Sequence, residues 1–324
     1  MFYSIRHLTR FRYSSPVSES IMELRMQPRS EGLQRCLSFQ VTVTPRTRVQ
    51  SYRDYLGNAV HHFDVPSAHR HLMIVAEAMV DVTPGAAIPD RLEKGAWSGL
   101  DEQLASGDFW EMLTASQFAQ WTELMERFAE ELALPSAEAA RERDPLELVR
   151  ELNSGVFRAI SYVPKSTRVD SPVDDALLNR QGVCQDYSHI MLALVRRVGI
   201  PCRYVSGYLF HRAGDKVRSS EGATHAWVEA YLPGLGWTGF DPTNNMMAGE
   251  SHVRTAVGRD YADVPPTRGV FKGEAASELT VAVRVAPSDK APPPETEMDS
   301  ADWSEVLRQD PDEVERAAAE QQQQ

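Results

Sequence analysis

The sequence predicts an α+β fold, with a small antiparallel β domain followed by a core in which one buried helix packs on an antiparallel sheet. Three observations predict it. Residues 1–82 carry short β-prone runs separated by turn signals and few helix signals. From Tyr187 the large apolar residues recur at Met191, Leu194, Val195 and Val198, the spacing of one helix face. Residues 225–232 alternate instead, with Ala226, Val228, Ala230 and Leu232 on one side and His225, Trp227, Glu229 and Tyr231 on the other.

In chain order, Tyr3, Ile5, Leu8, Phe11 and Tyr13 open the β-rich domain, and Leu37, Phe39, Val41 and Val43 mark a half-buried strand. Gly57-Asn58 between Tyr55-Leu56 and residues 59–63 reads as a hairpin turn, and residues 72–82 form a further strand ended by Thr83-Pro84-Gly85. This spacing of strands suggests a sandwich over 1–82. Residues 83–144 read as linker and helices. The stretch 86–108 is polar and linker-like, whereas 109–134 is helix-prone, with Phe118, Trp121, Leu124, Met125, Phe128 and Leu132 on one face. The core is expected over 145–273. Asp144 before Pro145 is an N-cap and first-turn pair for a helix to Ile160, ended by Tyr162-Val163-Pro164. A short helix opens at residues 171–178. Gly182 then breaks the chain, Cys184 starts the buried helix, and Gly199-Ile200-Pro201 stops it. Strands follow at 202–210, 225–232 and 237–241, the last two joined by Pro233-Gly234-Leu235-Gly236. A late strand lies within 274–286. Residues 287–324 form an acidic, Pro-rich tail with too few large apolar residues to order itself, although 304–319 suit a surface helix.

Composition narrows the function. With 42% hydrophobic residues, the 324-residue chain can bury a sizeable core. A net charge of −12 argues against nucleic acid and anionic membranes as partners, since both select a basic face. Cys36, Cys184 and Cys202 are odd in number and widely spaced, which argues against a disulfide framework or zinc ribbon and fits a cytoplasmic protein with reduced thiols. The N-terminus lacks the apolar run of a signal peptide, and no stretch reaches the ~20 apolar residues of a membrane span. His61-His62 and His69-Arg70-His71 invite a metal reading, but no acid or cysteine stands at ligand spacing, so neither metal nor cofactor is expected.

Cys184, at the first turn of its helix, is either an activated nucleophile or a buried cysteine; the helix dipole favours a thiolate there. A nucleophilic cysteine needs a base and a group to orient that base. With a three-residue hairpin loop, Leu232 opposes Gly236 and Trp227 opposes Asp241, which puts Asp241 diagonally beside His225 on one face. An even-numbered loop would separate them. The chemistry would be acyl transfer, in which Cys184 attacks, His225 takes and returns the proton, and Asp241 steadies the imidazolium. The backbone N–H of Cys184 is one oxyanion donor, and Tyr162 or Gln185 could supply a second. Other residues carry plainer expectations. His189 reads as a core histidine, Asp186 as a first-turn acid, and Trp227 and Trp237 as core residues flanking the base and acid. Glu19, Glu23 and Arg25 read as a solvated strand edge, and residues 126–131 as a solvated helix face.

These blocks carry a resemblance. Gly-Val-Cys-Gln-Asp at 182–186, Gly-Ile-Pro at 199–201, Tyr-Val-Ser-Gly-Tyr at 204–208, Thr-His-Ala-Trp-Val-Glu at 224–229 and Gly-Trp-Thr-Gly-Phe-Asp-Pro-Thr-Asn at 236–244 resemble the bacterial transglutaminase-like superfamily. His7, Tyr13, Pro16-Val17, Leu24-Arg25, Pro28-Arg29, Tyr52-Arg53-Asp54 and Gly57-Asn58 resemble the β-rich domain that precedes the core in its bacterial branch. The resemblance implies a papain-like core with Cys184, His225 and Asp241 as its triad, and a protein or peptide substrate. Cys202 departs from it, standing where a small alanine is more usual. The calcium of animal cross-linking relatives is not carried over, because no calcium-loop pattern occurs here. The function expected is that of a cysteine peptidase or amidase cleaving peptide or isopeptide bonds. Water is always at hand, whereas no motif reveals an amine site. The alternatives are a protein-glutamine gamma-glutamyltransferase and a non-catalytic binding module.

Overall fold

A computed structural model describes residues 1–288 apart from 94, 106, 108, 213–216 and 221; the tail from 289 onward, with the helix expected at 304–319, lies outside the described residues. Strands β1 (Phe2–Val17), β2 (Glu19–Leu24), β3 (Gln34–Thr44), β4 (Gln50–Arg53), β5 (Ala59–Val65) and β6 (His69–Val82) come first. Helices α1 (Ala96–Leu104), α2 (Trp110–Leu113), α3 (Glu123–Glu131), α4 (Ala137–Ala140) and α5 (Pro145–Ala159) follow. The short strands β7 (Ser161–Tyr162) and β8 (Gln181–Gly182) bracket α6 (Val173–Asn179), and α7 (Cys184–Arg197) comes next. The chain finishes with β9 (Cys202–Leu209), β10 (His225–Leu232), β11 (Gly236–Asp241), β12 (Met246–Met247), β13 (His252–Gly258), β14 (Thr267–Lys272) and β15 (Ser277–Ser288).

The N-terminal strands build a sandwich of two four-stranded sheets, ordered β15-β1-β6-β3 and β14-β2-β5-β4. Tyr13, Leu24, Phe63, Leu72 and Ile74 fill the space between them. The alternation read from the sequence puts these side chains inward, because successive strand residues point to opposite faces. Each sheet is completed by a strand from the far end of the chain. β14 pairs with β2 (Thr267 opposite Leu24) and β15 pairs with β1 (Ile5 opposite Val285). Residues 267–272, counted with the core on sequence grounds, therefore hydrogen-bond into the sandwich. Strand pairing across such a separation leaves no local sequence signal.

The second half is a five-stranded sheet, β12-β11-β10-β9-β13, with α7 laid across one face. Met191, Leu194, Val195 and Val198 of the α7 segment pack with Ala226, Val228, Ala230 and Leu232 of β10, as both periodicities require. Asp144 caps α5 by accepting from the Glu147 N–H at 3.0 Å, with Pro145 in its first turn. Two helical expectations change. The stretch read as linker contains α1, whose Trp97 and Leu100 are buried, with the indole donating to the Arg143 carbonyl at 2.9 Å. The long helix expected over 109–134 is broken into α2 and α3. The Phe118 N–H donates to Asp260 rather than to a helix carbonyl, and the Thr122 hydroxyl caps α3 by accepting from Met125 N–H.

The outer edge of β13 is joined to the sandwich by two side-chain amides. Asn58 accepts from the Val257 N–H and donates to the Val257 carbonyl, both at 2.8 Å. Gln34 accepts from the Arg254 N–H at 2.8 Å and donates to its carbonyl at 2.9 Å. Each amide thus imitates a neighbouring strand and closes an edge that would otherwise expose backbone donors and acceptors. Asn58 is held for this by the Arg29 guanidinium at 2.6 Å and by Asp54, which also accepts from the turn N–H groups of Leu56 and Asn58. Arg25, expected on a solvated edge, is instead largely buried and lies 3.8 Å from the same Asp54. Asn58→Ala would leave a buried N–H and carbonyl of Val257 without partners. We expect it to lower unfolding free energy by about 2–4 kcal/mol in denaturant titrations, against less than about 0.5 kcal/mol for a change at exposed Tyr55.

Candidate active site

α7 starts at Cys184 because the residues before it are built to start a helix there. Asp186 folds back so that one carboxylate oxygen accepts from the Val183 N–H at 2.8 Å and from the Thr167 hydroxyl at 2.6 Å. A Cβ at Gly182 would stand 2.8 Å from the Asp186 Cβ, so this return needs a residue without a side chain. The acid expected in the first turn is therefore also a cap. It is buried, and that burial raises its carboxyl to about 6 against the opposing hydrogen bonds from Thr167 and Val183. Cys184 is fully buried at the N-terminal end of α7, where the first N–H groups of the helix and its positive dipole end lie.

The β10–β11 hairpin has the odd-loop register. Leu232 lies opposite Gly236 and Val228 opposite Phe240, so Trp227 faces Asp241. His225 and Asp241 meet as that register requires, with His225 Nε2 2.8 Å from Asp241 Oδ2 and both side chains buried. Burial alone would lower the His225 pKa. The charge and hydrogen bond of Asp241, together with contact from the Cys184 side chain, raise it instead to about 10. With Nε2 committed to Asp241, the buried Nδ1 is the nitrogen left to exchange a proton with Cys184.

Asp241 collects more donors than its base. One oxygen accepts from the backbone N–H groups of Thr243 and Asn244, at 3.0 and 3.2 Å. The other accepts from the Asn244 amide at 2.7 Å and lies 3.2 Å from His252 Nε2. Burial would push this carboxyl up, but the two histidines and their hydrogen bonds outweigh burial and hold it well below the usual carboxylate range. Neither Asn244 nor His252 was singled out from the sequence as part of the site. Asn244 follows Asp241 at the short interval of an Asx turn, which is a readable signal. His252 arrives on β13 from the other edge of the sheet, and only the strand order brings it near.

Among the described residues, His225, Asp241 and His252 are grouped with possible ligand atoms within 4.8 Å of one another. The hydrogen bonds favour protons there over a cation. His252 Nδ1 accepts from the Gly249 N–H at 3.2 Å, so the ring proton sits on Nε2 and is donated to Asp241. Ligation through Nε2 would break both bonds. His69, one of the residues weighed for metal, uses both ring nitrogens on Ser20 and the Ser67 carbonyl.

The other expected residues separate. Trp227 stacks on His225 and meets His252 edge-on, walling this end of the site. It needs Gly207, which lies opposite His225 on β9 and where a Cβ would come within 2.6 Å of the indole. Trp237 lies at the far end of the hairpin, against Arg203 and Tyr231, and does not flank Asp241. His189 is a buried core residue stacked on Phe118, its pKa lowered to about 4 by burial. Cys202 packs in the core as a small apolar residue. Of the two oxyanion candidates, Gln185 donates from its amide to the Val169 carbonyl at 3.1 Å, and the Tyr162 hydroxyl lies 3.3 Å from Ser220 Oγ.

Comparison with known proteins agrees with this architecture. Residues 3–81 match the bacterial transglutaminase-like N-terminal region, and residues 133–242 match the transglutaminase-like superfamily core. An uncharacterized protein of Mycobacterium leprae is 34% identical over 86% of this chain and 96% of its own length. An uncharacterized protein of Mycobacterium tuberculosis is 33% identical over 88% of this chain and 92% of its own. This chain belongs to the transglutaminase-like superfamily, in the branch that carries the N-terminal β region. The crystal structure of a candidate cysteine protease from Cytophaga hutchinsonii shares the fold, with a TM-score of 0.66, 22% identity, and coverage of 90% of this chain and 93% of that one. A protein-glutamine gamma-glutamyltransferase of Pseudomonas aeruginosa is 37% identical over 100 residues, which span 30% of this chain and 15% of that protein.

The raised carboxyl of Asp186 has a consequence for stability. A carboxyl with a folded pKa above its unfolded value stabilises fully below the unfolded value and loses that contribution as pH rises through the folded one. Wild-type stability should therefore fall between about pH 4 and pH 6 on this account. Asp186→Asn can keep one acceptor oxygen for Val183 and Thr167 and does not ionise. Its stability relative to wild type should rise by about 1–3 kcal/mol between pH 4 and pH 8, measured by denaturant titration at both.

Proposed function

We propose that the protein is a thiol-dependent acyl-transfer enzyme and that it hydrolyses peptide or isopeptide amide bonds. The observation that carries this reading is a buried His225–Asp241 pair in contact with a cysteine at a helix N-terminus. In this mechanism the Cys184 proton moves to His225 Nδ1 and the sulfur attacks the amide carbonyl carbon, whose π electrons pass to oxygen. The tetrahedral species collapses, the C–N bond breaks, and the leaving amine takes the proton from His225. Water then attacks the thioester with His225 as base, giving the acid and the free thiol. The strong proton affinity that Asp241 confers on His225 favours the first transfer. The helix N-terminus supports the oxyanion through the Cys184 N–H, with Gln185 or Tyr162 as the second donor.

The segment from α5 through β13 carries the catalytic residues in this reading, and the substrate is a protein or peptide. The resemblance of one segment to a protein-glutamine gamma-glutamyltransferase supports a second reading, in which an amine replaces water in the second step. Three cysteines outside any disulfide fit action in the cytoplasm, and no helix among the described residues is long and apolar enough to cross a membrane.

A peptide library digested by wild type and Cys184→Ala, with products read by mass spectrometry, tests the reaction. We expect new carboxyl termini with wild type and none with the variant; identical product patterns would sink the enzyme reading. Adding a labelled primary amine separates the two acceptors, since incorporation exceeding hydrolysis would favour transfer. Asp241→Asn should keep the thiol and lower kcat by about 10²–10⁴-fold, because His225 loses the anion that raises its basicity.

A further inference from the structure

The inward face of β1 changes partners along its length. Tyr3 and Ile5 are covered by Tyr208 and Val253 of the core sheet. Tyr13, toward the other end, is covered by the second sheet of the sandwich. His7 and Thr9 fall at the seam, and a cavity of about 410 Å³ opens there, in the range of small-ligand sites. Edge strands β14 and β15 form its sides through Phe271, Leu279 and Val281.

The core contributes Val169, Thr224 and Tyr261 to the cavity lining, and each is one step from the proposed chemistry. Thr224 precedes His225. The Val169 carbonyl accepts from Gln185, the residue after Cys184. Tyr261 lies within electrostatic range of the Cys184 side chain. The rest of the described lining is mainly apolar and aromatic, with hydroxyls from Thr9, Thr267 and Ser277, and among the described residues it contains no carboxylate. Its deep polar group, His7, is bonded to Tyr208 and Thr9. Arg268, exposed on β14, is the one side chain among the described lining residues that is charged at neutral pH.

We propose that this cavity is the specificity pocket of the enzyme, and that it receives an aromatic or large aliphatic side chain of the peptide acyl donor. The inference rests on the reading of Cys184 as nucleophile. Among the described residues the charge of the lining is the exposed cation of Arg268, so the pocket selects against lysine and arginine in the donor. The N-terminal sandwich thereby takes part in substrate selection, because with β14 and β15 it supplies most of the lining while the core supplies the reacting groups.

Peptidyl electrophile probes that alkylate Cys184 test this, with iodoacetamide as a probe that needs no pocket. Matched probes carry Phe, Gly or Lys at the position beside the electrophile. With wild type the Phe probe should label at least ten-fold faster than the Gly or Lys probe. Leu279→Trp, which fills the cavity from a half-buried position, should collapse the Phe-to-Gly ratio toward one. Arg268→Glu, at an exposed position where folding is not at risk, should raise the Lys-to-Phe ratio at least three-fold. Equal rates for the three probes, with iodoacetamide still labelling Cys184, would overturn the pocket and leave the nucleophile standing. Failure of iodoacetamide to label Cys184 would overturn both. A fatty-acyl probe without peptide that outpaces the Phe probe would make the cavity a lipid site and also end the proposal.

Discussion

The buried carboxylate of Asp241 is the constraint around which the rest of this structure is arranged. A fully buried anion is costly unless its oxygens are saturated with donors. Asp241 meets that condition with two backbone N–H groups, the Asn244 amide and two histidines. These donors come from three places in the chain: the turn after β11, the start of β10 and the start of β13. Holding them together requires the five-stranded sheet to have its observed strand order. The same saturation leaves His225 with one nitrogen turned away from the acid, which is the nitrogen a thiol can use.

The sandwich is tied to this arrangement through β13. That strand carries His252 at one end, and its outer edge is bonded further along by Gln34 and Asn58 of the N-terminal domain. An amide side chain offers a donor and an acceptor side by side, as a strand residue does, so two residues suffice to close the edge. Asp54 and Arg29 orient Asn58, which gives a physical role to these three residues of the Pro28-Arg29, Tyr52-Arg53-Asp54 and Gly57-Asn58 blocks. The N-terminal and C-terminal portions are therefore parts of one packed body: β14 and β15 complete the sandwich, and the sandwich braces the sheet beneath the site.

The acid at position 186 illustrates a different balance. Two hydrogen bonds favour its ionised form and burial opposes it, and burial prevails. The residue fixes the start of α7, and thereby the position of Cys184, at a cost that grows as it ionises. Gly182 allows the close approach on which that cap depends.

The sequence by itself determined the features that rest on local pattern. The face of α7, the alternation of β10, the capping of α5 by Asp144 and the turn at Gly57-Asn58 all follow from side-chain period and turn chemistry. The meeting of His225 with Asp241 was legible on the condition of an odd-numbered loop, because loop length fixes register and register fixes face, and the structure supplies that register. What only the tertiary structure decided involves partners far apart in the chain. The place of His252 beside Asp241, the return of β14 and β15 to the sandwich and the cavity at the seam of β1 depend on strand order. The helix around Trp97 was hidden by polar neighbours, and the expected helix over 109–134 was divided by a hydrogen bond to Asp260. Periodicity specifies which way a side chain points, but contacts between distant segments are chosen by the packing of the whole chain.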